Sequence, residues 1–123
     1  MKWKFDNDKP IYVQIVNRLK ADIITGNYEL GGEFPSVRDL AEIASVNPNT
    51  MQKALVELER EGLVITNRAS GRMVTDNEAR VQEVKEEMAS QKVEVFLTEI
   101  YQLGYSLEEV VELVKGGKKD GVS

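Results

Sequence analysis

Cysteine and histidine are both missing from the 123 residues. The first absence excludes disulfides, thiolate metal sites and a cysteine nucleophile. The second removes the commonest general base and the commonest transition-metal ligand. No stretch approaches the roughly 18 consecutive apolar residues of a membrane span. The start, Met1-Lys2-Trp3-Lys4-Phe5-Asp6, has neither an apolar run nor a cleavage pattern, so no signal peptide is expected. A glycine-rich phosphate loop is also lacking, and the acidic pairs Glu86-Glu87 and Glu108-Glu109 read as helix surface. An enzyme built from this inventory would need paired carboxylates, a Ser–Lys pair or a metal held by acids. The expectation is a cytoplasmic protein that is not an enzyme and that uses no metal and no cofactor.

What is present is ordinary for a soluble domain: 41% hydrophobic and 30% charged residues, on a length that allows one domain or one and a half with a modest core. The most informative stretch runs from Phe34 to Val74. Ser36 is a helix cap with Asp39 as its reciprocal acid, and Val37, Leu40, Ala41 and Ala44 recur at helical spacing. Ser45-Val46-Asn47 breaks the pattern. Asn47 is a good N-cap, and Pro48 stands at the first helical position, where its missing N–H costs nothing. Met51, Ala54, Leu55 and Leu58 form a second buried stripe, which Gly62 ends. Leu63–Thr66 and Arg72–Thr75 are short strands around the turn Asn67–Gly71. Helix, turn, helix and hairpin is the winged helix-turn-helix order, in which the second helix enters a DNA major groove by its N-terminal end.

Upstream, Trp3 and Phe5 mark a short arm packing on the core. Pro10 opens a first helix whose inner face is Tyr12, Ile15, Val16, Leu19 and Ile23, with Gly26 at its C-terminal cap. Gln14, Arg18 and Lys20 are expected to face water. Asn27 to Glu33 is a loop. Downstream, Asp76-Asn77 caps a long helix from Glu78 to about Leu103, on the order of 40 Å at 1.5 Å per residue. Its first half carries a narrow stripe of Val81, Val84 and Met88; its second half is richer, with Val93, Phe96, Leu97, Ile100 and Leu103. Ser106 and Glu109 form a capping box for a final helix with Leu107, Val110, Val111 and Val114 on one face. Residues 116–121 read as a frayed end. Tyr101 and Tyr105 read as interface aromatics. Two amphipathic helices cannot make an independent core, so they must pack on the first domain or on a second copy.

On the second helix of the motif, Asn49, Gln52, Lys53 and Val56 fall at i, i+3, i+4 and i+7 on one outward face. Asparagine and glutamine can bind adenine through two hydrogen bonds, and lysine can meet guanine or phosphate. Periodicity alone leaves two readings open: a solvated face with a good cap, or a base-reading face.

The chain resembles the GntR family of bacterial transcription regulators. The resemblance rests on Pro35-Ser36, Arg38, Leu40-Ala41, Val46-Asn47, Thr50, Ala54-Leu55, Leu58, Glu61-Gly62-Leu63, Arg68, Gly71 and Val74, with Pro10–Ile15 and Gly26 upstream. The short helical tail is similar to that of the YtrA-type subgroup, which lacks a large effector domain. The resemblance implies DNA contacts from Arg38, Asn47, Asn49, Thr50, Gln52 and Lys53, and from Arg68 and Gly71 at the wing. It also implies a homodimer formed through the C-terminal helices. The chain departs from the family in three places. Pro48 and Gln52 stand where arginine is frequent, Ala69 replaces the first wing glycine, and Leu30-Gly31-Gly32 replaces the usual Pro-Gly, which implies a softer loop.

The net charge of −5 argues against nucleic acid at first sight. Residues 1–76 hold 10 basic and 11 acidic side chains, and residues 77–123 hold 6 and 10, so the acidity lies mostly in the tail. DNA binding would therefore depend on local placement of Arg38, Lys53, Arg68 and Arg72. The expected fold is mainly α with a small β-hairpin (α+β): a winged helix-turn-helix domain over residues 1–75 and a helical dimerisation tail over 76–123. The expected function is a homodimeric repressor that binds an inverted-repeat operator in double-stranded DNA through residues 47–61 and the wing 63–75. The alternative is a winged-helix adaptor for another protein, whose outward face would carry apolar anchors rather than Asn49, Thr50, Gln52 and Lys53. The sequence assigns no small-molecule effector.

Overall fold

The computed structural model describes residues 3–69 and 71–116. These form three helices, a two-stranded antiparallel sheet and two further helices, in that order. The chain divides into two compact units, Met1–Lys85 and Glu86–Ser123, and the division falls inside the fourth helix.

In the first unit, α1 (Ile11–Ile24) buries Ile15, Val16, Leu19 and Ile23, the stripe its spacing predicts. α2 (Val37–Ala44) begins where the Ser36 hydroxyl accepts the Asp39 N–H at 3.1 Å. It stops at Ser45, which adopts left-handed backbone at φ 59° and ψ 46°. Asn47 then caps α3 (Pro48–Arg60), its Oδ1 accepting the Asn49 N–H at 2.7 Å. Both caps satisfy helix N–H groups that would otherwise lack partners, and left-handed Ser45 with the Asn47 cap sets the turn between the helices. α3 is the centre of the unit. α1, α2 and the first strand all pack against it, and Met51, Ala54, Leu55 and Leu58 are fully buried.

Strands β1 (Val64–Asn67) and β2 (Gly71–Val74) pair in the register Val64↔Val74, Ile65↔Met73, Thr66↔Arg72 and Asn67↔Gly71. Each lies one residue away from its sequence expectation. Leu63 N–H still bonds back to Leu58 O at the end of α3, so the ladder begins at Val64. With side chains alternating, Val64, Thr66, Arg72 and Val74 share one face. The loop expected to be soft is pinned. Gly31 N–H donates to Val74 O at 3.0 Å, Val74 N–H to Gly32 O at 2.9 Å and Phe34 N–H to Arg72 O at 2.9 Å, while Gly31 takes φ +79°. Residues 31–34 thus run along the free edge of β2, and Tyr28 stacks on Phe34 with ring centres 5.0 Å apart. Burial, with Asp22 next in effect, pushes the Tyr28 phenol above its ordinary pKa.

The outer surface of α1 departs from the expected solvated face. Gln14 holds the N-terminal arm: its Oε1 accepts the Asp6 N–H at 2.8 Å, and its Nε2 donates to Asp6 O at 2.9 Å and Lys9 O at 3.1 Å. Arg18 lies 4.2 Å over the Trp3 ring, and Lys20 pairs with Glu61 at 2.8 Å. α4 (Glu78–Tyr101) is capped by Asn77, whose Oδ1 accepts the Arg80 N–H at 3.1 Å. Its first turns brace the first unit through Arg80 Nε, which donates to Glu61 O at 2.8 Å, and through buried Val84.

The second unit holds the rest of α4 and α5 (Leu107–Gly116). The capping box is complete: Glu109 N–H donates to the Ser106 hydroxyl at 3.2 Å, and Ser106 N–H to Glu109 Oε1 at 2.8 Å. Val110 is the one buried side chain among the described residues of this unit. Of the frayed end expected over 116–121, Gly116 is the last residue of α5, and the rest lies outside the described residues. No helix among the described residues is long and apolar enough to cross a membrane.

Candidate nucleic-acid interface

The outward face of α3 carries Asn49, Gln52 and Lys53, all exposed, in its first two turns, with Thr50 half-buried beside them. Pro48 at N1 and the Asn47 cap leave this end of the helix clear of the core. Asn47 fixes its side-chain oxygen on the cap and leaves its amide NH₂ as donors for a ligand. Ile11 and Tyr12 of α1 join Asn49, Thr50 and Lys53 around an open cleft of about 520 Å³. Lys53 Nζ sits 4.0 Å from the centre of the Tyr12 ring. That contact orients the ammonium without neutralising it.

The other site residues flank this face. Arg38 is exposed in the first turn of α2, Arg68 lies in the wing turn and Gly71 opens β2 beside it. Asn67 shapes that turn by accepting the Ala69 N–H on Oδ1 at 2.8 Å. Gly71 has φ +84° and open space where a Cβ would stand, so the chain can turn there with no side chain between its backbone and a partner.

Charge pairing sorts the cations. Lys20 pairs with Glu61, and Arg60 with Glu57, whose carboxyl that arginine holds below its ordinary pKa. Arg80 pairs with Glu83, and Arg72 with Glu59 at 3.4 Å. Arg72, expected from the sequence to be free for DNA, is therefore engaged within the fold. Arg38, Lys53 and Arg68 form no ion pair among the described residues. The near-neutral domain thus keeps three uncompensated positive charges on α2, α3 and the wing. Among the described residues, no three acidic side chains converge as metal ligands.

Sequence reasoning missed the contacts that orient these groups. Tyr12 reads by period as core, yet half of it is a platform for Lys53. Glu59, which no sequence pattern singles out, gathers Arg72 and Thr66 from the two strands.

A three-helix core carrying a helix-turn-helix, followed by a hairpin beside the second helix of the motif, defines a winged helix-turn-helix protein. Residues 11–74 match the sequence profile described as bacterial regulatory proteins, gntR family. The chain belongs to the GntR family and is a transcription regulator, not an enzyme. It is 37% identical over 119 residues to the HTH-type transcriptional repressor YtrA of Bacillus subtilis, covering 90% of this chain and 92% of that one. The HTH-type transcriptional regulator YhcF of the same organism is 34% identical over 112 residues, 91% of this chain and 93% of that one. A GntR family transcriptional regulator from Listeria monocytogenes has the same fold, with a TM-score of 0.85 at 39% identity over 91% of this chain and 98% of that one.

Proposed function

We propose that the protein is a homodimeric, cytoplasmic repressor that binds an inverted-repeat operator in double-stranded DNA. Residues 1–75, braced by the first turns of α4, form the reader, and residues 76–123 form the dimerisation tail. α3 enters the major groove by its N-terminal end, bringing Asn47, Asn49, Thr50, Gln52 and Lys53 to base edges and phosphates. Arg38 and the wing residues Arg68 and Gly71 contact the backbone and the adjacent minor groove. The observation that carries this reading is the placement of charge: Arg60, Arg72 and Arg80 are paired within the fold and Arg18 lies over Trp3 on α1, while Arg38, Lys53 and Arg68 on α2, α3 and the wing form no ion pair among the described residues. The name of the similar YtrA supports the repressor assignment. An adaptor would need an apolar anchor at this end of α3, and the side chains there are polar.

Selection of bound sites from random duplexes tests the reading. The expected product is an inverted repeat whose half-sites lie about one helical turn apart, centre to centre. Binding should weaken steeply with salt, each neutralised phosphate adding roughly −0.9 to the log–log slope. A pool that shows no sequence enrichment, or binding indifferent to salt, would overturn it.

A further inference from the structure

Arg72 stands where β2 faces α3. Its Nη2 donates to Gln52 Oε1 at 3.5 Å, and its Nε lies 3.4 Å from Glu59 Oε2. The Nε is buried without a hydrogen-bond partner, so the charge of Glu59 is what compensates it. Thr66, the cross-strand partner of Arg72, donates its hydroxyl to the same carboxylate. Glu59 therefore ties both strands of the wing to the recognition helix, and Arg72 reaches from that anchor to the side chain of Gln52.

A guanidinium has donors only, so Gln52 must turn its oxygen toward Arg72 and its NH₂ outward. Bidentate recognition of adenine needs the amide oxygen and the NH₂ to face the base together, one accepting from N6 and the other donating to N7. With the oxygen turned toward Arg72, the two amide atoms no longer face the base together, and that mode is disfavoured. The outward NH₂ fits best the base edges that present acceptors only: guanine O6 and N7, or thymine O4; adenine offers it N7 alone, beside an N6 amine left without an acceptor. We infer that Arg72 is a specificity-determining residue, which holds Gln52 as a donor-only reader so that the base facing it is chosen as an acceptor and adenine is disfavoured. The inference rests on the assignment of α3 as the base-reading helix. It gives Arg72 a positioning role in place of a phosphate contact.

The test uses the full chain and duplex selection. Gln52→Ala first identifies the base position that Gln52 reads, as the one position whose preference blurs. The wild type should prefer guanine or thymine there. The double variant Glu59→Gln/Arg72→Met keeps side-chain length and leaves no orphan charge, and its melting curve reports whether it folds. It should gain adenine at that position, shifting the guanine-to-adenine preference by roughly five-fold or more, while its salt slope stays at the wild-type value. Arg72→Lys, which retains a donor, should keep more of the original preference. A wild-type preference for adenine at the Gln52 position, an unchanged preference in the double variant, or a salt slope reduced by about 0.9 would each overturn the inference. So would a Gln52→Ala variant that blurs no position while other α3 substitutions do, which leaves the reading helix in place. Failure of the wild type to select any sequence would instead overturn the DNA-reading assignment itself.

Discussion

Replacing Ile100 by glutamate should convert the protein from dimer to monomer and lower operator affinity by roughly a hundred- to ten-thousand-fold. The second unit has too little inside it to stand alone: Val110 is its one buried side chain among the described residues. Its apolar residues lie outside instead. Phe96 is 43% exposed, Leu107 53%, Val111 40% and Val114 60%, with Ile100 half-buried beside them. Exposed apolar residues in this density mark an interface, and a second copy of the same helices would supply a matching one. A carboxylate set into that seam would be buried without a partner, at a cost of several kcal/mol. Each separated reader would then have only Arg38, Lys53 and Arg68 to hold a half-site. The tether that presents the second half-site at high effective concentration would be gone. Sedimentation of wild type and Ile100→Glu, alone and with the selected duplex, reads both effects. A chain ending at Lys85 keeps Arg80 and Val84 with the reader and should behave as the variant does. An Ile100→Glu protein that remains dimeric would place the seam elsewhere.

Truncating Leu55 to alanine should destabilise the reading unit by about 2–5 kcal/mol, a large share of the 5–15 kcal/mol typical of a domain. Leu55 is 0% exposed on α3, the helix against which α1, α2 and β1 pack. The lost methyl groups therefore leave a cavity that three elements would have to move together to close. In a domain of this size the melting temperature should fall by roughly 10–30 °C, and DNA binding should disappear on the same heating curve. Leu55→Met conserves volume and should cost less than about 1.5 kcal/mol. Circular dichroism melts of both variants give the comparison. An alanine variant that melts within a degree or two of wild type would show that α3 is not the keystone of the core.

The frame of this fold was legible because its signals are local. Ser36 and Asn47 announce helix starts through hydrogen bonds that span two or three residues. The buried stripes of α1 and α3 follow from apolar spacing, and the Ser106–Glu109 box is a pairing within one turn. The polar detail of the interface was not legible, because it depends on residues brought together by packing. Arg72 meets Gln52 across twenty positions, and only the hairpin register, which places Thr66 opposite Arg72, puts both on the face that meets Glu59. Lys20 and Arg18 looked solvated by period, yet Glu61 and Trp3 reach them from distant parts of the chain. Gly31 and Gly32 suggested slack, and the sheet edge they border removed it. Apolar periodicity locates a core; it carries no information about which surface charges find each other.

The central claim is that the N-terminal end of α3 reads base pairs, with Lys53 as its principal free cation. Titration of a fluorescent operator duplex with wild type and Lys53→Ala, alongside duplexes mutated at each position, tests it most directly. Lys53 is exposed, and its ammonium lies over the Tyr12 ring with no ion pair among the described residues, so the variant should fold and dimerise as the wild type does. It should lose about 1–3 kcal/mol of operator binding and blur one base position in each half-site. A folded, dimeric Lys53→Ala protein that binds the operator with wild-type affinity and wild-type discrimination would contradict the account.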